Sequence, residues 1–292
     1  MGLFSKEECS FCGKKVGFLS RKLLINKEGY ICKECEKKCS ALINVSHFTK
    51  AELQKHMEYM EKQDKIYKEA FEPIDKKDKH RFVCISTGVE FSDELAMFTY
   101  ISPDTNKKIY KELFRYDQIK SYEPYFKENT STQNGKKYYE VGMIIYLNCS
   151  RPKFGEAHGS AMAEGKSVHP YVYEIKVPTR RDTDDRNDYR PLKDQLDKIF
   201  GIYEDNSVVG SIKSSFTGTN KEKAEMKVAA DGLKALGNLA KSKMSDNDED
   251  KVKAKESLEN FVENSSNLAF HNKPKYCKIA NEVEDRILSN NN

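Results

Sequence analysis

The stretch CSFCGKKVGFLSRKLLINKEGYICKEC, residues 9–35, contains two Cys-x-x-Cys pairs that are separated by nineteen residues. Zinc binds four ligands in a tetrahedron, and thiolates are among the ligands it prefers. A Cys-x-x-Cys turn directs two sulfur atoms at one ion, so two such turns complete the coordination shell. The spacing therefore predicts one structural zinc ion per chain, held by Cys9, Cys12, Cys32 and Cys35.

The residues between the pairs indicate how the second pair returns to the first. Gly13 follows Cys12 and can adopt the left-handed conformation that points backbone N–H groups at the sulfurs. VGFLSRKLLI and GYIC are typical of two strands joined across Asn26 to Gly29. KECEKKCSALIN predicts a helix with Cys35 in its first turn. Together these elements predict a treble-clef or zinc-ribbon module.

Other uses of the cysteines stay open. A thioredoxin-like redox motif would be a single Cys-x-x-Cys in a βαβ setting, which the sequence does not show. An iron–sulfur cluster also takes four cysteines, although its usual runs are spaced differently. Cys39, one helical turn after Cys35, is either an additional ligand or a buried small apolar residue. Structural zinc is the preferred interpretation, and a closed four-thiolate shell would fold the module rather than catalyse a reaction.

The composition of the chain limits its class. Its 292 residues suggest two domains of about 150 residues each. A net charge of only +4 gives no overall field typical of a nucleic-acid or membrane binder. No secretory signal precedes the first cysteine pair, and the longest apolar run, residues 141–147, is far too short to span a membrane. We therefore expect a cytoplasmic protein with no transmembrane segment, whose cysteines are thiols or metal ligands.

Changes in sequence periodicity divide the chain into four segments. Residues 1–48 form the cysteine module, and residues 49–78 form a helical linker. Residues 79–205 are predicted to be an antiparallel β-domain, and residues 206–292 a helical, partly flexible tail. The expected fold class is α+β: a zinc ribbon, a linker helix, a barrel-like β-domain capped by a helix, and the tail.

The β-domain is marked by short runs rich in Tyr, Phe, Val and Ile. The predicted strands are HRFVCIS, ELAMFTYIS, IYKELFRY, IKSYEPYF, KKYYEVGMIIYLNCS and HPYVYEIKVP. The segments TGVEFSD, SPDTNKK, ENTSTQNGK and GEAHGSAMAEGKS are predicted to interrupt them. RPLKDQLDKIF then predicts an amphipathic helix, with Pro191 in the first turn, that closes the barrel.

The tail contains two helical patterns. Residues 219–243 carry a narrow apolar stripe. Its members are Val228, Ala229, Leu233, Leu236 and Leu239. The stripe lacks Trp and Phe, so we expect it to contact protein, within the chain or in an oligomer, rather than a membrane surface. A last short helix is predicted over YCKIANEVEDRILS, with Ile279, Val283 and Ile287 in register.

The cysteine module is rich in basic residues. They are Lys14, Lys15, Arg21, Lys22, Lys33, Lys37 and Lys38. These side chains either partly neutralise the formal charge of about −2 on zinc with four thiolates, or form a patch for nucleic acid or an acidic partner. Neutralisation is the preferred interpretation, because no aromatic and Arg side chains interleave with the lysines.

No set of residues predicts an enzyme. His158 and His169 share one loop with Glu156 and Glu164, but an acid–base or metal site needs converging ligands, which proximity in sequence does not supply. Cys84 and Cys149 lie within strand patterns and are expected in the core. We therefore expect a protein without catalytic residues.

The cysteine module resembles a family of zinc-ribbon domains of unknown function, found mostly at the N-termini of proteins from low-GC Gram-positive bacteria. The resemblance covers about residues 7–45 and is carried by the two cysteine pairs and their neighbours: Gly13, Lys14, Lys15, Gly17, Leu23, Gly29, Tyr30, Ile31, Lys37 and Lys38. The resemblance implies zinc binding, and the family itself has no assigned activity. The β segment resembles a bacterial pleckstrin-homology or GRAM-type domain, through LFRYDQIKSYE at residues 113–123 and the closing helix at residues 190–203.

Two functional hypotheses follow. The first is a non-enzymatic, zinc-binding adaptor of the bacterial cytoplasm with an unidentified protein partner. The second is a nucleic-acid-associated or regulatory factor that uses the basic cysteine module. Retention on nucleic acid with a steep salt dependence would favour the second hypothesis. Peripheral membrane contact is a weaker expectation than either.

Overall fold

The computed structural model describes residues 6–130, 137–150, 166–183, 185–201 and 272–289. The chain divides into two compact units, one of residues 1–192 with 275–292 and the other of residues 193–274. The predicted tail helix at residues 219–243 lies outside the described residues. So do its stripe members Val228, Leu233, Leu236 and Leu239, and His158, Glu156 and Glu164 of the long loop.

The cysteine module is built from very short elements. Strands β1 (Glu7–Glu8) and β2 (Lys15–Val16) pair antiparallel, and β3 (Arg21–Leu23) pairs antiparallel with β4 (Tyr30–Cys32). The β3–β4 hairpin lies within the two predicted strand segments, but β3 is only three residues long, much shorter than the predicted VGFLSRKLLI. The following helix, α1 (Lys33–Glu36), is shorter than expected. Beyond Glu36 the N–H groups of Lys38 and Cys39 donate three residues back, to the Cys35 and Glu36 carbonyls, and the Ser40 N–H donates to His56 Nε2 at 2.9 Å.

Helix α2 (Lys50–Ile66) begins at a capping box between Thr49 and Glu52 and continues as a π-helical turn, Tyr67–Phe71. Its two ends belong to different apolar clusters. Leu53 and Met57 pack with the cysteine module, whereas Ile66 packs with residues of the following sheet. The linker helix therefore has one buried face that changes its neighbours along its length.

A four-stranded antiparallel meander follows α2. Its strands are β5 (His80–Cys84), β6 (Thr87–Ser92), β7 (Met97–Ile101) and β8 (Phe114–Arg115), in that order. Helix α3 (Pro103–Asn106) connects β7 to β8. The prediction that TGVEFSD interrupts the strands is wrong, because this segment is β6. Its Val89 and Phe91 are fully buried while Glu90 between them is not, which is the alternation of a strand.

A second antiparallel sheet contains β9 (Ile119–Thr130), β10 (Lys137–Leu147) and β11 (Glu174–Thr183), with β10 in the middle. The predicted closure into a barrel is not seen: among the described residues, the sheets stay open. The first sheet ends because β8 pairs with β7 over only two residues, after which the turn Tyr116–Gln118 starts the second sheet. The architecture is mixed α+β.

Two longer helices complete the described chain. In α4 (Arg190–Phe200), Leu192, Leu196, Ile199 and Phe200 are all buried, as the apolar spacing predicted. Helix α5 (Lys273–Ser289) is longer than predicted. On α5, Val283 and Ile287 are buried, but Tyr276 and Ala280, rather than Ile279, complete the buried face. Within the residues that the structure describes, no helix is long and apolar enough to cross a membrane.

Candidate metal centre

The structure brings the four predicted cysteines together. All four sulfur atoms lie within 4.8 Å of one another. The Sγ atoms of Cys9 and Cys35 are 3.8 Å apart, and so are those of Cys12 and Cys32. Four sulfurs at about 2.3 Å from one zinc ion would lie about 3.8 Å apart along the edges of the tetrahedron. The spacing of the sulfurs therefore fits a single tetrahedral ion.

Backbone geometry places each pair. Gly13 has a φ of +69°, and its N–H donates to the Cys9 carbonyl at 2.9 Å, which closes the first turn. Gly29, at φ +134°, allows the hairpin to pass Ser10, where a Cβ would lie 2.1 Å from the hydroxyl oxygen. The returning strand then places Cys32 so that its N–H donates to Cys9 Sγ at 3.4 Å.

The second pair lies at the start of α1, where the Cys32 side chain caps the helix. The Cys35 N–H donates to Cys32 Sγ at 3.4 Å. Backbone N–H groups directed at sulfur favour the thiolate form, which is the form that binds metal. These N–H groups favour ionisation of Cys9 and Cys32, but burial opposes it at both sulfurs.

The cysteines of the cluster differ in how readily they ionise. Burial opposes ionisation of Cys9, but the N–H groups of Phe11, Cys32 and Cys12 outweigh it and lower the pKa of Cys9 to about 6. Burial and the neighbouring sulfurs raise the pKa of Cys35, and burial is the main cause that raises the pKa of Cys32. Four thiolates this close repel each other unless a positive ion lies between them, so a divalent metal is what would ionise all four.

A mononuclear ion fits this cluster better than an iron–sulfur centre. A polynuclear cluster fills the space between its thiolates and holds them farther apart than one ion does. The sulfur separations of 3.8 Å leave room for one ion. With four thiolates in the shell, no coordination position is left for water or substrate.

Cys39 is not brought into the cluster. Its side chain is fully buried, and its thiol donates to the Cys35 carbonyl at 3.8 Å. Burial raises the pKa of Cys39 to about 12, which keeps the thiol protonated. The structure thus places Cys39 in the apolar cluster of the module, as the second of the two interpretations expected.

The basic residues of the module are only partly engaged. Lys22 pairs with Glu36 at 2.7 Å and Lys37 with Glu34 at 2.9 Å, while the Arg21 guanidinium lies over the Tyr30 ring. Four others have no ion-pair partner among the described residues. They are Lys14, Lys15, Lys33 and Lys38. The surface near the metal centre therefore keeps free positive charge.

Sequence reasoning missed an exposed apolar feature of the module, which we call the apolar tip: Phe18, Leu19 and Leu23. Their exposed fractions are 59%, 86% and 43%. VGFLSRKLLI was predicted to be one strand, but a 3-10 turn at Phe18–Ser20 interrupts it. The turn places Phe18 and Leu19 in solvent while Val16 and Leu24 on either side are buried. Gly17 and Ser20 at its ends were the available signal.

A second cluster that the sequence did not reveal, the histidine cluster, consists of His56, Glu112 and His169. His169 Nδ1 accepts N–H groups from Tyr171 and Val172, and its Nε2 lies 3.4 Å from Glu112 Oε1. His169 was considered in the sequence as a loop residue, but it is fully buried. Burial lowers the pKa of His56 to about 4. The cluster brings together side chains from three segments that are distant in sequence.

A third polar cluster surrounds Arg115 and holds α5 in place. The guanidinium donates twice to Asp117 and once to Glu284, each at 2.9 Å. Arg115 and Asp117 are almost completely buried. Burial raises the pKa of Glu284, although Arg115 opposes this. No local pattern predicts this network, because Glu284 lies 169 residues after Arg115.

Comparison with known proteins gives one match. Residues 7–56 match the model of a family described as a domain of unknown function (DUF4428). No curated protein and no solved structure is significantly similar to the chain. The matched residues include the four-cysteine cluster, which is consistent with a zinc-ribbon-like family. They also reach into α2 as far as His56, which agrees with the packing of Leu53 in the module.

Proposed function

We propose that the protein is a non-enzymatic, zinc-stabilised adaptor of the bacterial cytoplasm, in which the cysteine module presents the apolar tip to a protein partner. The observation that carries the proposal is the exposure of Phe18, Leu19 and Leu23 within six positions of one another. Clustered apolar side chains in water are unfavourable, and such a surface is typical of a contact site.

Among the described residues, the other large exposed apolar side chains do not form such a group in the sequence. Ile85, Ile109, Phe126 and Tyr173 lie far apart along the chain. Single exposed apolar residues are normal on protein surfaces. The apolar tip differs because it is flanked by Lys14 and Lys15, which have no ion-pair partner among the described residues. Their positive charge, close to the tip in the sequence, would favour a partner with acidic residues.

The proposal also assigns a fold to the cysteine module and to the β-region. We assign the cysteine module to the treble-clef class, supported by the knuckle at Gly13, the β3–β4 hairpin and α1 with Cys35. We assign the β-region a pleckstrin-homology-like fold. Its support is the element order: a four-stranded meander, then a three-stranded meander, then α4.

The absence of catalysis is also part of the proposal. Four thiolates fill a tetrahedral shell, so the metal would have no position for substrate. The histidines of the histidine cluster are buried and hydrogen-bonded to neighbouring backbone. Their geometry supports a structural role.

The test compares two surface variants. Phe18→Ser with Leu19→Ser removes most of the apolar tip, and Ile85→Ser removes one exposed apolar side chain from the turn between β5 and β6, where Ile85 is 81% exposed. Each tagged protein is used to capture proteins from a bacterial lysate, with quantitative mass spectrometry and zinc analysis as readouts. We expect at least one protein captured by wild type and Ile85→Ser but lost with the tip variant at unchanged zinc content. Equal capture by all three would overturn the proposal.

A second candidate function, nucleic-acid association, is favoured by one observation. Lys14, Lys15, Lys33 and Lys38 have no ion-pair partner within the described part of the chain. Each lysine that contacts a phosphate contributes about one unit to the slope of log affinity against log salt. Lys14→Gln with Lys15→Gln should then weaken binding to a DNA or RNA oligonucleotide and reduce the slope. Absence of salt-dependent binding by wild type would exclude this candidate.

A further inference from the structure

A cleft unrelated to the metal centre lies beside the four-stranded sheet. It has a volume of about 370 Å³ and is bordered by the end of α2, by the sheet and by α3. We call it the sheet cleft. Four cationic side chains line it, Lys76, Lys79, Arg81 and Lys111, against the two carboxylates Glu72 and Glu90. The volume is in the range of small-molecule sites.

Strand register explains why the charged side chains converge. Arg81 on β5 is directly opposite Glu90 on β6, which is directly opposite Thr99 on β7. Directly opposed residues of antiparallel strands share a face of the sheet. Lys79 is two residues before Arg81 and so belongs to the same face. Lys79 and Arg81 therefore lie on the same face of the sheet, which borders the sheet cleft.

The indication of an anion site in the sheet cleft comes mainly from Lys79. Its side chain is only 6% exposed, yet its Nζ makes no hydrogen bond to any described residue. The nearest carboxylate oxygen, on Glu90, is 3.9 Å away, and the Phe71 ring centroid is 4.7 Å away. An ammonium group has three donors, and leaving such donors unsatisfied near the interior is costly. Because Lys79 lines the cleft, an anion there would accept these hydrogen bonds.

Other donors of the sheet cleft are also unengaged. Lys76 and Arg81 have no ion pair or side-chain hydrogen bond within the described ranges, and neither does the Tyr67 hydroxyl. Burial raises the pKa of Tyr67, so this hydroxyl keeps its proton and remains a donor. Only Lys111 uses its ammonium group elsewhere, donating to the Thr105 carbonyl at 3.2 Å.

The larger groove along α2 lacks this property. It has a volume of about 860 Å³ and is lined by alternating acidic and basic residues. Two of its three lining cations are engaged: Lys68 binds Asp64 at 2.6 Å, and Lys65 donates to the Ile287 carbonyl at 2.7 Å, while Lys62 has no ion pair among the described residues. The sheet cleft differs in having three cations, Lys76, Lys79 and Arg81, whose side-chain N–H groups have no hydrogen-bond partner among the described residues, although Lys79 Nζ lies 3.9 Å from Glu90.

We propose that the sheet cleft binds a small organic phosphate, whose phosphate group accepts hydrogen bonds from Lys79, Arg81 and Lys76. Three cations from different backbone positions suit a group with three equivalent oxygens better than a planar carboxylate with two. The Tyr67 ring, stacked on Phe71 with centroids 5.6 Å apart, supplies an apolar wall for the organic part.

The experiment titrates the zinc-loaded full-length protein with glycerol 3-phosphate and with inorganic phosphate, using isothermal calorimetry and amide NMR shifts. Saturable binding of glycerol 3-phosphate is expected, with shifts in β5, β6 and the end of α2. Lys76→Gln with Arg81→Gln should weaken binding at least ten-fold, since each hydrogen bond to a charged group contributes about 1.5–3 kcal/mol. Absence of saturable binding by wild type would overturn the proposal.

A matched double variant separates the cleft from general charge attraction. Lys77→Gln with Lys107→Gln removes the same charge from exposed lysines that are paired with Asp75 and Asp104 and do not line the cleft. It should bind as wild type does, and equal weakening by both double variants would contradict the cleft. Lys79→Met, which keeps contact with Phe71, should abolish binding. If Lys79→Met does not fold, the comparison of the two double variants, Lys76→Gln with Arg81→Gln and Lys77→Gln with Lys107→Gln, still decides the outcome.

Vesicles distinguish the source of the phosphate. The proposal predicts that glycerol 3-phosphate competes for the site and that phosphatidic acid vesicles bind no better than phosphatidylcholine vesicles. Binding to phosphatidic acid vesicles without binding of glycerol 3-phosphate would overturn it in favour of a lipid headgroup. The tip variant Phe18→Ser with Leu19→Ser should bind glycerol 3-phosphate normally, so this test is independent of the proposed adaptor function.

Discussion

The cysteine module and the four-stranded sheet reach their ordered structures by different means. The module's strands are two or three residues long, and four of its buried residues are cysteines. The sheet instead buries a row of phenylalanines across its strands, with centroids of Phe91 and Phe98 5.3 Å apart and of Phe98 and Phe114 5.2 Å apart. The module should therefore depend on its metal, and the sheet on apolar burial.

Helix α2 is where the two regions meet. Leu53 and Met57 belong to the apolar cluster of the module, and Ile66 belongs to that of the sheet. The histidine cluster also crosses the boundary, because Ser40 of the module bonds both His56 and Glu112. Whether unfolding of one region spreads into the other therefore tests the difference between them.

Removal of the metal should have the largest effect. Cys32→Ser, or a strong chelator, should unfold the cysteine module, since structural zinc supplies apparent binding energies of about 10–16 kcal/mol in small zinc domains. Amide NMR should show loss of dispersed signals over residues 9–48 and in the first turns of α2. Signals from β5 to β7 should persist.

A matched cysteine variant controls this prediction. Cys39→Ala changes a buried cysteine of the module that lies outside the sulfur cluster, and it should keep one zinc ion per chain. If the sheet unfolds together with the module on chelation, the two regions are one cooperative unit and the comparison fails.

Among the single substitutions in the sheet, loss of Arg115 should lower the free energy of unfolding most. Arg115→Met leaves the buried carboxylates of Asp117 and Glu284 without their cation, which costs about 3–5 kcal/mol in comparable buried pairs. Denaturant unfolding followed by circular dichroism should show this loss, with zinc content unchanged. The control Lys278→Met breaks the exposed pair with Glu282 on the same helix and should cost about 1 kcal/mol or less. Equal costs would mean that Arg115 does not hold buried charge.

Acid should weaken the boundary between the regions through His56. Its folded pKa of about 4 lies below the ordinary value near 6.5, so the folded state binds fewer protons than the unfolded chain. The His56 contribution to stability is therefore complete above pH 6.5 and is lost as the pH falls towards 4. The loss amounts to about 3 kcal/mol at most. Unfolding free energies measured at intervals from pH 7 to 4 give the slope.

The His56→Gln variant isolates this titration. A Gln oxygen can accept the Ser40 N–H, but it does not titrate. The difference in unfolding free energy between wild type and variant should shrink or reverse as the pH falls from 6.5 to 4. A difference that stays constant with pH would show that His56 is not held neutral by burial.

The smallest effect is expected at the surface of the module. Lys22 and Glu36 form an exposed ion pair at 2.7 Å, with side chains 50% and 22% exposed. A double-mutant cycle with Lys22→Gln and Glu36→Gln should give a coupling energy of about 0.2–1 kcal/mol, decreasing with added salt. A coupling of several kcal/mol would mean that surface charge, in addition to metal, organises the module.

The sequence was most informative where the determining residues are close together. The two cysteine pairs, Gly13 and the turn before Gly29 predicted the metal cluster, because spacing alone fixes which sulfurs can meet. The capping box of Thr49 and Glu52 was equally local. Strand β6 was missed because TGVEFSD contains turn-forming residues, and burial of Val89 and Phe91 overrides them.

The remaining features depend on partners distant in sequence. The helix after Cys32 is short, and the Ser40 N–H that follows it donates to His56, a contact that no local pattern contains. Likewise, nothing in the sequence around Arg115 or around Glu284 distinguishes either residue from an ordinary charged residue. The apolar tip was missed for another reason: apolar residues in a strand pattern predict burial, and only a turn at Phe18–Ser20 turns them to solvent.

The most direct test of the account is X-ray absorption spectroscopy of the purified protein at the zinc edge, combined with elemental analysis. We predict one zinc ion per chain with four sulfur ligands at about 2.3 Å and no oxygen or nitrogen ligand. Iron in place of zinc, fewer than four sulfur ligands, or full zinc content in Cys32→Ser would contradict the central claim that these four cysteines form a closed structural metal centre.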